Sequence, residues 1–459
     1  MLNFAILLEL TWITIKSPRK LLMNDENQSV REIINQRKMS FFQIQTVFIC
    51  TVINMLDGFD VLVMSFAASS VASEWSLNPY DLGMLLSSGL LGMAIGSILL
   101  GPLADRIGRR KLVNTCLGIV TIGMFASAFC ANNYQLLAFR FITGIGIGGM
   151  LATLTTLVSE YSNDTKRGLC IGFLQSGYPL GALLGGIASV YLISAYEWRS
   201  LFIFGGSLSL IMIPITYWKL PESLDFLLLE NGPRYKSRIQ DLLIRLGIDS
   251  PKSTSANTAS EKNLSWSLLF SNGMKTNTIY LWICYFLLMF SFYFVVSWTP
   301  KLLVDAGLTT GQGISAGVYL QGGGLFGAIC LGLLGSKFKV PNLTCVFFIF
   351  GISAMLFYGL ADLSLISLMF VSAAMGFFLI GAMIGLYTIA PSIYPANVRV
   401  SGVGFAIGIG RIGAIVAPVA GGLILNSGYS NSEIFVIFAI PLSLAALAVY
   451  RIKLNASLN

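Results

Sequence analysis

The sequence predicts an all-α, polytopic membrane protein whose twelve transmembrane helices form two six-helix repeats. Three observations predict this fold class. Hydrophobic residues occupy 55% of the 459 positions and charged residues only 11%, whereas about a quarter of the residues of a soluble domain are charged. Apolar runs of about 20 residues, enough to cross the hydrocarbon core as a helix, occur twelve times. Glycine patterns of the first half recur in the second half.

The twelve apolar runs are bounded by charged residues or turn signals. They cover residues 46–70, 83–104, 112–131, 134–158, 168–193, 200–219, 278–303, 313–335, 342–361, 365–390, 401–426 and 432–451. The chain therefore divides into five predicted segments. These are an N-terminal arm at 1–45, a six-helix half at 46–219, a polar linker at 220–277, a second six-helix half at 278–451 and a tail at 452–459.

The N-terminal arm starts with about fifteen mostly apolar residues, and the basic residues Lys16, Arg19 and Lys20 follow them. A signal peptide carries its positive charge before the apolar core, so the order here is reversed. The stretch from Met23 onwards reads as an ordinary polar arm. We expect translation to start at Met23; the alternative is an interfacial helix at the N-terminus.

The basic residues are distributed unevenly along the chain. If the N-terminus is cytoplasmic, 25 of the 29 Lys and Arg residues fall on the cytoplasmic side, which is the positive-inside bias. The formal charge of +8 therefore reflects membrane topology, and we expect no nucleic acid partner. The bias predicts a multi-pass protein of the cell inner (plasma) membrane with both termini in the cytoplasm.

Two carboxylates, Asp57 and Asp60, interrupt the first apolar run. At 1.5 Å per residue, Asp57 lies roughly 17 Å into the bilayer and Asp60 one turn further on the same face. Ionised carboxylates at that depth are costly unless they face a protein cavity, and they mark functional sites. The chain contains no histidine, so proton transfer would fall to Asp or Glu. We interpret these two residues as a site for protons or substrate.

The segment 101–113, GPLADRIGRRKLV, follows the second run. Its first glycine allows close helix approach, its aspartate can cap or pair, and its basic residues would hold the loop at the anionic membrane surface. The simpler alternative is a basic loop that only sets topology. The residues of the fuller pattern are Gly101, Asp105, Arg106, Gly108, Arg109 and Arg110.

Two arginines lie inside apolar runs. Arg140 is roughly 9 Å from the outer end of the fourth run, and Glu160 marks the inner end about 30 Å away, too far for the two to pair. Asp60 lies at nearly the depth of Arg140, which predicts an ion pair between them. Arg411 lies roughly 15 Å into the eleventh run. It could bind a carboxylate through two parallel hydrogen bonds or form a structural ion pair with Asp57 or Asp60.

The two halves share a glycine pattern. The segment 172–186 matches 404–418 at an offset of 232, which also places Arg167 over Arg399, and three glycines from 92 to 101 match glycines from 323 to 332 at an offset of 231. Repeated halves are typical of secondary transporters, which bind substrate near the midplane. The seventh run adds aromatic residues, of which we expect most to pack or face lipid and one or two to stack on substrate: Tyr285, Phe286, Phe290, Tyr293 and Trp298.

Taken together, four features resemble the aromatic acid:proton symporters of the major facilitator superfamily, which carry benzoate, hydroxybenzoate, muconate and related acids. They are DGFD at 57–60, GPLADRIGRR at 101–110, RFITGIGIGG at 140–149 with Glu160, and Arg411. The resemblance implies the major facilitator fold and proton-coupled uptake of an organic acid anion by a monomer in the bilayer, with no cofactor. It implies that Asp57 and Asp60 carry protons, that Arg411 and Arg140 bind the anion, and that the loop 101–110, Glu160 and Arg167 control the conformational change.

Three other functions remain open at this stage. A proton-driven exporter of drugs or metabolites would share the loop at 101–110, although Arg411 speaks mildly against it. A facilitative sugar or metabolite carrier would more typically use amides in the membrane. A membrane enzyme or sensor would need a metal cluster, nucleotide loop or nucleophile with a base, and the sequence displays none.

Overall fold

A computed structural model describes residues 34–35, 37–224, 226–227, 233–246, 274–394 and 398–452. Within these ranges, the side chains of Asp105, Val400 and residues 233–238 are not described. The hypothesis that translation starts at Met23, and its alternative of an interfacial N-terminal helix, concern residues outside the described ranges. The described part of the chain is helical, in agreement with the predicted fold class.

Twelve helices of the described part are long and apolar enough to cross a membrane, and each coincides with one predicted run. The third run was predicted to reach residue 131, but its helix ends at Ala128 because the chain turns there before Asn132 caps the next helix. In chain order the helices are α1 (Phe41–Glu74), α2 (Pro79–Ile107), α3 (Arg109–Ala128), α4 (Asn133–Tyr161), α5 (Arg167–Tyr196), α6 (Arg199–Lys219), α7 (Pro233–Arg245), α8 (Met274–Asp305), α9 (Thr310–Leu334), α10 (Val340–Leu360), α11 (Leu365–Ile393), α12 (Arg399–Asn426) and α13 (Asn431–Arg451).

Side-chain caps fix where several of these helices begin. Ser40, Thr309 and Ser430 each form a capping box with the residue three positions later, at the starts of α1, α9 and α13. The cap oxygen satisfies a backbone N–H that has no partner within the helix. Helix ends near a membrane surface thus keep their polar groups satisfied.

The helix contacts of the first half repeat in the second half. In the first half α1 packs on α5, α2 on α4, and α3 on α4 and α6. In the second half α8 packs on α12, α9 on α11, and α10 on α11 and α13. The same pairing order in both halves is the arrangement that the repeated glycine pattern predicted.

Matched glycines occupy matched environments. A Cβ added at Gly181 would lie 1.8 Å from the Met55 carbonyl oxygen, and one added at its counterpart Gly413 would lie 2.4 Å from the Phe286 carbonyl oxygen. Both positions therefore require glycine, because the helices touch backbone to backbone.

The linker contains a helix that the sequence analysis did not anticipate. The segment 220–277 was predicted as a polar linker, and α7 lies within it. Its apolar residues Ile239, Leu242 and Leu243 are buried, and the Arg245 guanidinium lies 5.8 Å from the ring centre of Phe42 at the start of α1. An amphipathic helix in a polar segment has low mean hydropathy, so its apolar face escapes a search for apolar runs.

The two halves touch near one membrane face. We call the face that carries the α2–α3 turn and α7 the basic face, and the face that carries the α1–α2 turn the opposite face. Near the opposite face, the Ser65 hydroxyl donates to the carbonyl oxygens of Val296 at 2.8 Å and Ser297 at 2.9 Å, and the Ser87 hydroxyl donates to the Ile415 carbonyl oxygen at 2.7 Å.

The halves diverge towards the basic face. Gly101 lies eighteen residues, or five helical turns, after Gly83, so both project from the same side of α2. A Cβ at Gly83 would lie 2.6 Å from the Pro418 carbonyl oxygen in the other half, whereas one at Gly101 would meet no described atom within 4 Å. Gly172 and its counterpart Gly404 likewise face open space. The structure therefore encloses a cavity that is closed at the opposite face and open at the basic face.

Candidate functional site

Asp57 and Asp60 lie inside the first half, on the buried side of α1. They are 2% and 1% exposed, and none of their four carboxylate oxygens has a hydrogen-bond partner among the described residues. Gly58 between them lets α5 approach, since an added Cβ there would lie 2.1 Å from the Tyr178 carbonyl oxygen. The helix contact therefore fixes the backbone that presents both acids.

Arg140 meets Asp60 in a way the sequence did not predict. Its guanidinium Nη2 donates to the main-chain carbonyl oxygen of Asp60 at 2.5 Å, Nη1 contacts the Met124 sulfur at 3.2 Å, and the group lies 5.7 Å from the ring centre of Phe202. The Asp60 carboxylate points instead towards Gly205 on α6, where an added Cβ would lie 3.1 Å from Oδ1. The close contact is therefore a hydrogen bond to the backbone and not the predicted ion pair, although the two charges still act on each other electrostatically.

A narrow cavity between α1, α2 and α4 reaches Arg140. Apart from that arginine its lining is apolar and includes Val61, Leu86 and Ile147. A guanidinium in such surroundings is stabilised mainly by the contacts just described. Arg140 thus holds the backbone of Asp60, while the Asp60 carboxylate accepts no hydrogen bond from the described residues.

Arg411 is half-buried in α12 and forms no ion pair with Asp57, Asp60 or any other described residue. Tyr178, Tyr293 and Tyr387 lie within electrostatic range of it. The ring centre of Tyr387 is 5.8 Å from that of Tyr285, yet Tyr387 is 37% exposed. Arg411 lies seven residues, or two helical turns, after Gly404 and so on the same side of α12. Because a Cβ at Gly404 would meet no described atom within 4 Å, Arg411 faces the open space between the halves.

We call Tyr178, Tyr293 and Tyr387 the tyrosine cluster. The sequence analysis named Tyr293 and missed the other two. Tyr178 lies on α5 of the first half and is within electrostatic range of both Asp57 and Arg411. It is therefore near both the candidate proton site in one half and the candidate anion site in the other. The sequence signal that could have found it is the segment GYP at 177–179, which lies in the repeat opposite the segment that contains Arg411.

The loop 101–110, which was predicted to control the conformational change and which we call the latch, folds around a carboxylate that the sequence analysis missed. Gly108 has φ +97, and an added Cβ would lie 2.6 Å from Oε2 of Glu222, so this position requires glycine. Glu222 Oε1 accepts a hydrogen bond from the Arg110 backbone N–H at 3.0 Å. Glu222 follows α6 in the segment PES, and its own carbonyl oxygen accepts a hydrogen bond from the Tyr161 hydroxyl at 2.6 Å.

The other predicted latch residues have separate places. The Arg109 guanidinium lies 4.0 Å from the Glu160 carboxylate, so the loop is joined to the end of α4. Arg167 pairs with Asp164, three residues earlier. Arg106 is exposed, Gly101 faces the open cavity, and the side chain of Asp105 lies outside the described part.

Comparison with known proteins agrees with this architecture. The family model of the Major Facilitator Superfamily matches residues 47–406. The chain belongs to this superfamily. It is 34% identical to the gallate transporter of Pseudomonas putida, over 92% of this chain and 94% of that protein. It is 31% identical to the 4-hydroxybenzoate transporter PcaK of Pseudomonas aeruginosa, over 92% and 95% of the two chains.

Among solved structures, the inward open conformation of the xylose transporter XylE from E. coli superimposes with a TM-score of 0.71. It is 17% identical and covers 89% of this chain and 96% of its own, which shows the shared fold. The predicted resemblance to aromatic acid carriers is confirmed by the relatives at 31% and 34% identity. The family consists of transporters, so the function is transport and not catalysis.

Proposed function

We propose that the protein imports aromatic or related organic acids together with protons, by alternating access. The observation that carries this proposal is the pair of buried carboxylates, Asp57 and Asp60, without partners among the described residues, next to a cavity lined by the unpaired cation Arg411. The names of the relatives, which carry gallate and 4-hydroxybenzoate, supply the substrate class.

Proton binding has a physical reason in this geometry. An ionised carboxylate enclosed without hydrogen-bond partners is expensive, and closing the cavity over it would remove the remaining water. A proton on Asp57 or Asp60 neutralises the charge before closure. The proton thereby becomes part of the species that crosses, which is the requirement for coupling.

The anion would bind at a different site from the proton. Arg411 can bind a substrate carboxylate with two parallel hydrogen bonds, and aromatic rings of the tyrosine cluster line the space next to it. Arg140 supports the anion indirectly, because it holds the backbone at Asp60. Tyr178, which interacts with both Asp57 and Arg411, lies where occupancy of one site can influence the other.

The transport cycle uses the contacts between the halves. We assign the basic face to the cytoplasm because of its Lys and Arg content, with both termini on that side of the inner membrane, so that this structure is open inwards. Opening outwards requires the contacts of Ser65 and Ser87 to break. The loop 101–110, with Glu160, Glu222 and Arg167 nearby, would then control closure at the cytoplasmic side of the monomer.

Uptake by proteoliposomes with an alkaline interior tests this proposal. Labelled 4-hydroxybenzoate would be offered with benzoate, muconate, nicotinate or glucose as competitor, to wild type, Asp57→Asn and the control Asp362→Asn, which alters an exposed aspartate between α10 and α11. We expect gradient-driven accumulation in wild type and control, inhibition by the acids and not by glucose, and loss of accumulation in Asp57→Asn.

Two outcomes would contradict the proposal in different ways. Accumulation by Asp57→Asn against a gradient would remove Asp57 from proton coupling. Transport of the acids only out of vesicles, driven by an inward proton gradient, would instead favour the exporter.

A further inference from the structure

Gln321, in the middle of α9, is a buried amide without a partner. Its side chain is 1% exposed, and neither its nitrogen nor its oxygen forms a hydrogen bond with the described residues. Buried polar groups in proteins nearly always have a partner. A buried amide that offers both a free donor and a free acceptor therefore points to a ligand that supplies what the protein does not.

Neighbouring positions on α9 show which way the Gln321 side chain is directed. Gly317, one turn earlier on the same face, approaches the Phe66 ring of α1, which would lie 3.2 Å from an added Cβ. Gly322 faces Leu183 of α5, and Gly324 faces Ile380 of α11. Gln321 lies between these directions and so projects towards the first half, at the interface between the halves.

The depth of Gln321 follows from the packing of α9 against α8. An added Cβ at Gly313 would lie 2.5 Å from the Pro300 carbonyl oxygen, and one at Gly317 would lie 3.7 Å from the Pro300 ring. The two helices run in opposite directions, so a residue further along α9 lies at the same depth as a residue correspondingly earlier along α8. Gln321 is therefore level with Tyr293 of the tyrosine cluster, at the closed end of the cavity.

Arg411 lies deeper towards the basic face. Its neighbour Gly413 packs on the Phe286 carbonyl oxygen, 2.4 Å from an added Cβ, which sets Arg411 roughly 10 Å below the level of Tyr293 at 1.5 Å per residue. Arg411 and Gln321 therefore lie at different depths between the halves, with roughly 10 Å between their levels along the helices.

We propose that Gln321 is the subsite for the polar ring substituent, above all the hydroxyl group, of an aromatic carboxylate held at Arg411. This proposal rests on the function proposed above and specifies its substrate. A phenolic hydroxyl both donates and accepts hydrogen bonds, as the amide does. A buried site built to bind a hydroxyl discriminates strongly against an analogue that lacks it, because the protein group is then left unpaired. Gln321 would thus favour hydroxylated acids over benzoate.

Equilibrium binding to purified protein tests the subsite. The dissociation constants of 4-hydroxybenzoate, gallate and benzoate would be measured for wild type, Gln321→Leu and Gln321→Asn, with Tyr319→Phe as the control, since Tyr319 is on the same helix and 48% exposed. We expect Gln321→Leu to weaken binding of the two hydroxylated acids about 10- to 100-fold while benzoate changes less than about threefold. Gln321→Asn, which keeps a shorter amide, should fall between.

The pattern of losses separates the possible explanations. An equal loss for all three acids in both variants would mean that Gln321 supports the fold or the cavity shape, and would overturn the subsite. Unchanged binding of the hydroxylated acids would overturn it as well. If wild type bound none of the acids, the proposed function and the subsite would fall together, whereas loss of hydroxyl discrimination alone leaves the proposed function intact.

Discussion

Replacing Gly58 with alanine should force α1 and α5 apart beside the two buried acids. The added Cβ would lie 2.1 Å from the Tyr178 carbonyl oxygen, about 1.3 Å short of the 3.4 Å at which ordinary contact begins. The obstacle is backbone, so no side chain can rotate away. Overpacking of this kind destabilises a folded protein by about 1–3 kcal/mol. Because Tyr178 interacts with Asp57 and Arg411, we also expect proton-driven accumulation to fall.

The assay compares Gly58→Ala with Gly172→Ala. Gly172 is also a helical glycine, on α5, but an added Cβ there meets no described atom within 4 Å, and alanine is the better helix former. Thermal unfolding in detergent should place Gly58→Ala below wild type and Gly172→Ala at or above it. Uptake of 4-hydroxybenzoate by the same two variants then reports whether the displaced α5 disturbs transport.

One result would contradict the proposed role of the contact between α1 and α5. If Gly58→Ala unfolded at the wild-type temperature and accumulated substrate normally, the close approach of α1 and α5 would not be what positions the acids. Equal destabilisation of both variants would show that loss of glycine flexibility matters, and not contact between the helices.

Two further predictions concern the anion site and the loop. Arg411→Lys keeps the positive charge but loses the planar guanidinium that can form two parallel hydrogen bonds. The KM for 4-hydroxybenzoate uptake should therefore rise at least about tenfold, with little change in thermal stability. An unchanged KM would show that Arg411 does not bind the carboxylate. Glu222→Ala removes the acceptor for the Arg110 N–H at the start of α3, where Gly108 provides no side-chain cap. Unfolding measurements should show a loss of about 1 kcal/mol, most of which Glu222→Gln restores through its amide oxygen; equal stability of the alanine variant and wild type would contradict a capping role.

Conformational exchange must break hydrogen bonds between the halves as well as the packing of α2 on α12 and of α5 on α9. Near the opposite face, two serine hydroxyls join the halves through main-chain carbonyl groups, Ser65 to α8 and Ser87 to α12. Hydrogen bonds of this kind contribute about 1 kcal/mol each, which suits an interface that must open in every cycle. The glycines at the open end, such as Gly101 and Gly404, leave room for the halves to approach when the cavity closes there.

Several features could be predicted because local patterns in the sequence encode them. Hydropathy depends on the residues of one segment, so the twelve spans could be found without tertiary information. The rarity of buried charge singled out Asp57, Asp60, Arg140 and Arg411. The repeat offset also carried information about packing, because glycines at matched positions lie in matched environments, as Gly181 and Gly413 do.

Which groups meet could not be predicted and became known from the packing of the helices. Depth along a helix placed Arg140 beside Asp60, but the direction of each side chain determined that the guanidinium binds the carbonyl oxygen and leaves the carboxylate facing α6. Glu222 and Gln321 did not stand out as candidate residues in the sequence. A glutamate after a transmembrane span and a glutamine within one are both common, and only their contacts distinguish them. Such contacts join residues 80 or more positions apart, and they depend on the register between helices, which no local pattern specifies.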